Sequence, residues 1–224
     1  MIKIFNYIGK LRKLNYKTIL FNFHYLPFKM ALKFPILISS KVVFIALKGK
    51  LVLQAPLHFG MIKIGFGDVG IFDKKKSRSI WELNGKIIFN GTANIGHGSK
   101  ISVGAEGILE IGNNFEISAE SSIVAFKKIV IGNDCLISWD VLILDTDFHK
   151  ILDFNNNILN APKEIVLGNK VWVGARSLIL KGSNIPSNAI IAAASVVNNI
   201  LPTENTIYGG SPAKFLKADI KWEN

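Results

Sequence analysis

An aliphatic side chain returns at every sixth position through the back two-thirds of this chain. The run is cleanest at Leu167, Val173, Ile179, Ile185, Ile191 and Val197. The same step recurs at Ile131, Ile137 and Ile143, at Ile111, Ile117 and Ile123, and at Phe89, Ile95 and Ile101. Four places after an anchor the residue is mostly small or β-branched, as at Ala93, Ser99, Ala105, Ser121, Cys135, Val141, Ser177 and Ser195. A helical face repeats every three to four residues and a one-faced strand every two, so six matches neither. It matches a short strand plus a turn. The period therefore predicts an all-β solenoid, a parallel β-helix with three such units per coil and every anchor pointing inward. One coil cannot bury its own inner face, so the core comes from stacking on the next.

The interruptions follow the same logic. Ile101 to Ile111 is longer than one step, as is Ile123 to Ile131, and both extensions follow the third anchor of a coil. They are expected at one corner of the prism. The largest break runs from about residue 144 to 164 between anchors that stay in phase. It holds Asp145-Thr-Asp-Phe-His149 and Asn155-Asn156-Asn157. A polar excursion from a regular scaffold is where function tends to sit. The organisation expected is a cap over residues 1–60, a solenoid over 61–205 with a protruding loop at about 144–164, and a C-terminal tail over 206–224.

Charge changes the picture at the N-terminus. No Asp or Glu precedes Asp68, whereas eleven basic residues do, equal to the whole formal excess of +11. The same stretch is aromatic and apolar. Lys29, Lys33, Lys41 and Lys48 break its apolar runs below the roughly eighteen residues of a spanning helix. A signal-peptide core with a small-residue cleavage site is not evident. Two readings of residues 1–50 stand side by side: a helical or irregular cap on the solenoid's open end, and a basic amphipathic surface that touches anionic lipid. No nucleic-acid motif accompanies the charge, so no nucleic-acid partner is expected. The single cysteine, Cys135, excludes an intrachain disulfide and reads as packing. Cytoplasmic residence is expected, with the inner membrane face as the alternative.

Three stretches carry a family resemblance: Ile131-Gly-Asn-Asp-Cys-Leu-Ile-Ser-Trp-Asp-Val-Leu-Ile-Leu-Asp-Thr-Asp-Phe-His149, Val171-Trp-Val-Gly-Ala-Arg176 and Gly209-Gly-Ser-Pro-Ala-Lys214. With them the chain resembles the hexapeptide-repeat acyltransferases of the left-handed β-helix type, and among these the sugar O-acetyltransferases of bacterial surface-polysaccharide synthesis. The resemblance covers roughly residues 85–217. It implies a left-handed coil, a homotrimer with active sites between neighbouring prisms, and acetyl-CoA as acyl donor.

It also implies roles. His149 matches the family's catalytic histidine, and an imidazole can accept a proton near neutral pH. Asp145 or Asp147 could orient its ring, as a carboxylate does in hydrolytic triads. Gly174 and Ala175, with Ala193 and Ser195 one coil on, match the pantetheine-binding positions. Lys214 and Lys217 are candidates for the CoA phosphates, or solvated tail residues. Trp139 is a candidate for the acceptor pocket, or for packing between subunits. The chain departs from the family at Ala192-Ala-Ala-Ser195 and Asn198-Asn199, where relatives often show Gly-Ala-Gly-Ser and then Thr-Lys. That missing lysine weakens the phosphate contact.

The expected function is acetyl-CoA-dependent O-acetylation of a sugar hydroxyl in a capsule, lipopolysaccharide or related glycan, with an acceptor that could be lipid-linked. The alternatives are N-acetylation of a nucleotide-linked amino sugar and a non-catalytic β-helix scaffold. A zinc enzyme on this solenoid would need three histidine ligands. His97 and His149 stand alone in the repeat region, so no metal is expected.

Overall fold

The computed structural model describes residues 14–223. Its strands form three sheets that run nearly parallel throughout, of nine, seven and six strands. The chain visits the three in rotation, so each sheet is one wall of a triangular prism. The first wall runs from Ile36–Ile38 to Lys214–Lys217, the second from Val43–Leu47 to Val196–Val197, and the third from Lys50–Leu53 to Asn184–Ile185.

The six-residue anchors are the core. Ile95, Ile117, Ile137, Val173, Ile191 and Tyr208 stack in register up the first wall. Trp81, Ile101, Ile123, Ile143, Ile179 and Val197 do so up the second. Phe89, Ile111, Ile131, Leu167 and Ile185 complete the third. All are buried. Each side chain so removed from water contributes about 1.5–3 kcal/mol, before the entropy of ordering the coil is subtracted.

The corners explain the residues between anchors. At the turn from first to second wall, Gly98, Glu120, Asp140, Arg176 and Ala194 hold a positive φ at the same place in successive coils. Ser121, Ser177 and Ser195, one place after the positive-φ residue in three of those turns, are buried and donate to carbonyls inside the corner. At the turn from third to first wall, an amide ladder climbs the prism. Asn113 accepts from the Thr92 N–H, Asn133 from Asn113, and Asn169 from Asn133. Gly112, Gly132 and Gly168 sit just before this ladder because coils meet there: a Cβ on Gly132 would lie 2.5 Å from the Gly168 carbonyl oxygen. Ala105 is the exception among the small corner residues. It falls in an extension and is exposed.

The prism is longer than the expected 61–205. Strands Ile36–Ile38, Val43–Leu47 and Lys50–Leu53 already pair with the next coil, so stacking begins inside the stretch read as cap. Its period is masked by insertions at 54–61 and 67–79. The described helical part is α1 (Tyr16–Tyr25) and α2 (Phe28–Ala31). The C-terminal stretch is likewise part of the sheet. Ile207–Gly209 extends the first wall, and Lys214–Lys217 turns back antiparallel as its last strand.

Cys135 is buried at its corner, with its thiol 3.1 Å from the Gly168 carbonyl. Burial pushes that thiol up to about 11, which leaves it protonated and inert at neutral pH.

Candidate active site

The three extensions between Ile101 and Leu167 all emerge at the corner between the second and third walls. Residues 104–107 and 126–127 make short ones, and 145–164 makes the long loop. Stacking them on one corner gives the long loop a platform. Asp145, at its root, is fully buried, and its two carboxylate oxygens accept from the N–H groups of Phe126 and Lys127, each at 2.8 Å. The Phe148 ring then stands edge-on to Phe126, centroids 4.8 Å apart. At the far end of the loop, Asp153 accepts from the N–H groups of Asn155 and Asn157, and Leu152 bridges Ile158. The outcome is a small hairpin standing off the prism.

His149 lies on this loop and is exposed. Its backbone is fixed at both ends. Its N–H donates to the Asp147 carbonyl at 2.7 Å, and its carbonyl accepts from the Asn160 amide at 2.8 Å. The imidazole itself carries no hydrogen bond or ion pair to any described residue. Neither candidate carboxylate touches it: Asp145 is spent on the platform, and Asp147 accepts from Lys181 and from Asn160. Lys181 also donates to the Asn160 carbonyl at 2.7 Å, so it ties both sides of the loop to the prism. The Lys181 ammonium, then the Asn160 amide, hold the Asp147 carboxyl below the usual carboxylate range. A depressed carboxylate keeps its charge, and with it this bridge, until pH falls through that lowered value. Lys181 and Asn160 escaped the sequence reading because nothing local to either marks its partner.

A cavity of about 150 Å³ opens beside the ring, lined by Thr146, Asp147, Phe148, His149, Asn160 and Pro162, among others. Whole ligand pockets run to roughly 300–1,000 Å³, so this one holds part of a ligand.

The remaining candidates occupy other places. Gly174 and Ala175, with Ala193 and Ser195 one coil on, lie at the corner between the first and second walls. Trp139 is there too, its carbonyl accepting from the Arg176 N–H at 3.0 Å. Gly174 has a stacking reason of its own, since a Cβ would sit 2.6 Å from the Ala193 nitrogen. The Ser195 hydroxyl is buried, donating to the Ala192 carbonyl and accepting from the Gly210 N–H. Ala193 remains exposed and small. Lys214 and Lys217 are exposed on the closing strand, without an ion-pair partner among the described residues. Trp172 donates to the Ser138 hydroxyl and packs near Trp222 from the C-terminal stretch. His97 is buried against Phe72 at a lower coil, and no hydrogen bond reaches its ring nitrogens.

One chain thus keeps His149 and the small-residue corner apart by the width of the second wall. The three-residue strand Leu142–Leu144 alone makes that roughly 10 Å.

No family model matches the chain. A polysialic acid O-acetyltransferase of Escherichia coli O1:K1 / APEC is 32% identical over 126 residues, 56% of this chain and 38% of that protein. The putative lipopolysaccharide biosynthesis O-acetyl transferase WbbJ of Escherichia coli (strain K12) is 28% identical over 144 residues, 60% of this chain and 72% of its own length. The chain therefore spans little more than a third of the first relative. Among solved structures, the polySia-specific acetyltransferase NeuO superposes with a TM-score of 0.52 at 23% identity, covering 85% of this chain and 79% of that one. The fold is a left-handed β-helix, and both relatives carry O-acetyltransferase names, in line with the family that the three motifs resemble.

Proposed function

We propose that the chain transfers an acetyl group from acetyl-CoA to a hydroxyl of a surface-polysaccharide sugar, with His149 as general base. The observation that carries this reading is an exposed imidazole, without a hydrogen-bond or ion-pair partner among the described residues, held by its backbone beside a small cavity. In the reaction, the His149 ring takes the proton from the acceptor hydroxyl as that oxygen attacks the thioester carbonyl carbon. The new ester bond forms, the carbon–sulfur bond breaks, and the imidazolium returns its proton to the sulfur. No enzyme-bound acyl group is required. Neither Asp145 nor Asp147 orients the ring directly. Asp147, through Asn160 and Lys181, positions the loop that carries it.

The working unit is a homotrimer. One wall away from the root of the His149 loop, Trp139 lies in the same coil, Gly174 and Ala175 one coil above it and Ala193 two coils above it. Threefold packing of prisms can set that corner of one subunit against the His149 corner of its neighbour. The second wall suits such packing, since its outward residues Val124, Leu142, Leu144, Leu178, Leu180 and Val196 are apolar. The loop hairpin also exposes Leu152, Phe154, Ile158 and Leu159, a surface that a neighbour would cover. The small corner residues let a pantetheine arm run close to the backbone, and Lys214 and Lys217 supply charge for the CoA phosphates.

CoA release from acetyl-CoA, measured over a panel of polysialic acid, lipid-linked oligosaccharides and nucleotide-linked amino sugars, tests this reading. Turnover with hydroxyl acceptors is expected. Turnover confined to the amino sugars would replace it with N-acetylation, and none on any acceptor would leave a scaffold.

A further inference from the structure

Helix α1 buries two polar side chains and turns an apolar stripe outward. Its N-cap is Asn15, whose side chain accepts from the Lys17 and Thr18 N–H groups. On the face turned to the protein Phe21 enters the core edge-on to Trp81, and beside it Thr18 and Asn22 are fully buried. They serve the open edge of the first wall. Asn22 donates to the Ile36 carbonyl at 2.7 Å and accepts from the Ile36 N–H, while Thr18 makes the same reciprocal pair with Ile38. An edge strand that would otherwise face solvent with unpaired backbone is thereby satisfied.

The outward face is apolar. Tyr16, Ile19, Leu20 and Phe23 fall at i, i+3, i+4 and i+7, one stripe of the helix, exposed by 69, 47, 48 and 38%. Phe28, 67% exposed, continues the stripe beyond the turn, its ring 5.7 Å from that of Phe23. An ordinary surface helix puts a polar face outward. The charges around the stripe have one sign: Lys29 and Lys33 are exposed beside it, and the sequence holds no Asp or Glu before Asp68. Among the described residues no helix is long and apolar enough to cross a membrane.

We propose that this end of the prism docks on an anionic lipid bilayer, with the α1 stripe and Phe28 in the acyl boundary and the lysines at the headgroups. Aromatic and aliphatic side chains flanked by lysine suit that boundary, and each lysine near an anionic surface adds electrostatic attraction. A second copy of this chain would bring an equally basic rim against the first, which the charge opposes. The His149 loop leaves the fifth strand of the second wall, four strand spacings or roughly 19 Å above the first coil, whose open edge α1 covers. A glycan on a lipid carrier would reach it there, a consequence that rests on the proposed transfer, whereas docking does not.

The test is flotation of the full chain with vesicles of phosphatidylglycerol and phosphatidylethanolamine, set against phosphatidylcholine vesicles. Binding at least about tenfold tighter to the anionic vesicles is expected, weakened by salt. The double substitution Leu20→Glu, Phe23→Glu is expected to abolish it while the circular dichroism, sedimentation and CoA release with a soluble acceptor stay as in the parent. Equal binding to both vesicles, binding to neither, or retained binding by the double variant would overturn the proposal. So would a change of oligomeric state in that variant, which would mark the stripe as an interface between copies. Loss of docking with transfer intact, or the converse, separates this proposal from the enzymatic one.

Discussion

Replacing His149 by alanine is expected to lower kcat/KM for acetyl transfer about a thousandfold, the scale of a lost general base. The magnitude is readable because the substitution is structurally quiet. The ring is exposed and makes no hydrogen bond or ion pair with the described residues, and the loop is held by Asp145, Asn160 and Lys181 instead. The melting temperature should therefore move by less than about 2 °C, since surface changes stay within roughly half a kcal/mol. The KM for acetyl-CoA should also hold, because the small-residue corner is untouched. Steady-state CoA release and a thermal melt on the same preparation check all three. Activity within tenfold of the parent would remove His149 from the chemistry.

The second large effect is expected at Asp145. Its two charge-assisted bonds join the loop root to the extension of the coil below, and both partners are backbone N–H groups. Alanine there strands two donors beside a new void, at a cost of about 3 kcal/mol. Amide hydrogen exchange at Phe126 and Lys127 should accelerate about a hundredfold, while exchange at anchors such as Ile179 and Ile191 stays slow. Transfer activity should fall with it, because the platform under His149 loosens. Asparagine should rescue little, since its NH₂ group would face a backbone N–H where an acceptor is required. Unchanged exchange at the two amides in Asp145→Ala would show that the loop root is held by other contacts.

The contrast between these two positions shows what a single sequence can carry. The anchors were legible because stacking demands an apolar residue at fixed spacing, and each one is buried in the prism. The loop at 144–164 and the common corner of the three extensions followed from phase alone. Asp145 was visible as a carboxylate near His149 but not as a platform. Its partners lie eighteen and nineteen residues earlier, in a coil whose extension supplies amides rather than a side-chain signal. Lys181 was silent for the same reason, thirty-four residues from Asp147. At the N-terminus the period failed because insertions at 54–61 and 67–79 break its phase, and Trp81 occupies an anchor position that is aliphatic in later coils. The outward apolar stripe of α1 needed coordinates, since Thr18 and Asn22 acquire their inward role only from the edge strand they meet.

The proton-accepting role of His149 is reached most directly by comparing two titrations of one protein. The acid limb of the kcat/KM profile reports the essential base of the free enzyme. Asp147 titrates below the usual carboxylate range, so its protonation lies outside the neutral region of that profile. An acid limb whose midpoint coincides with the His149 imidazole titration followed by NMR is the expected result. A midpoint displaced from that titration by a full pH unit, or a profile flat through it, would contradict the assignment.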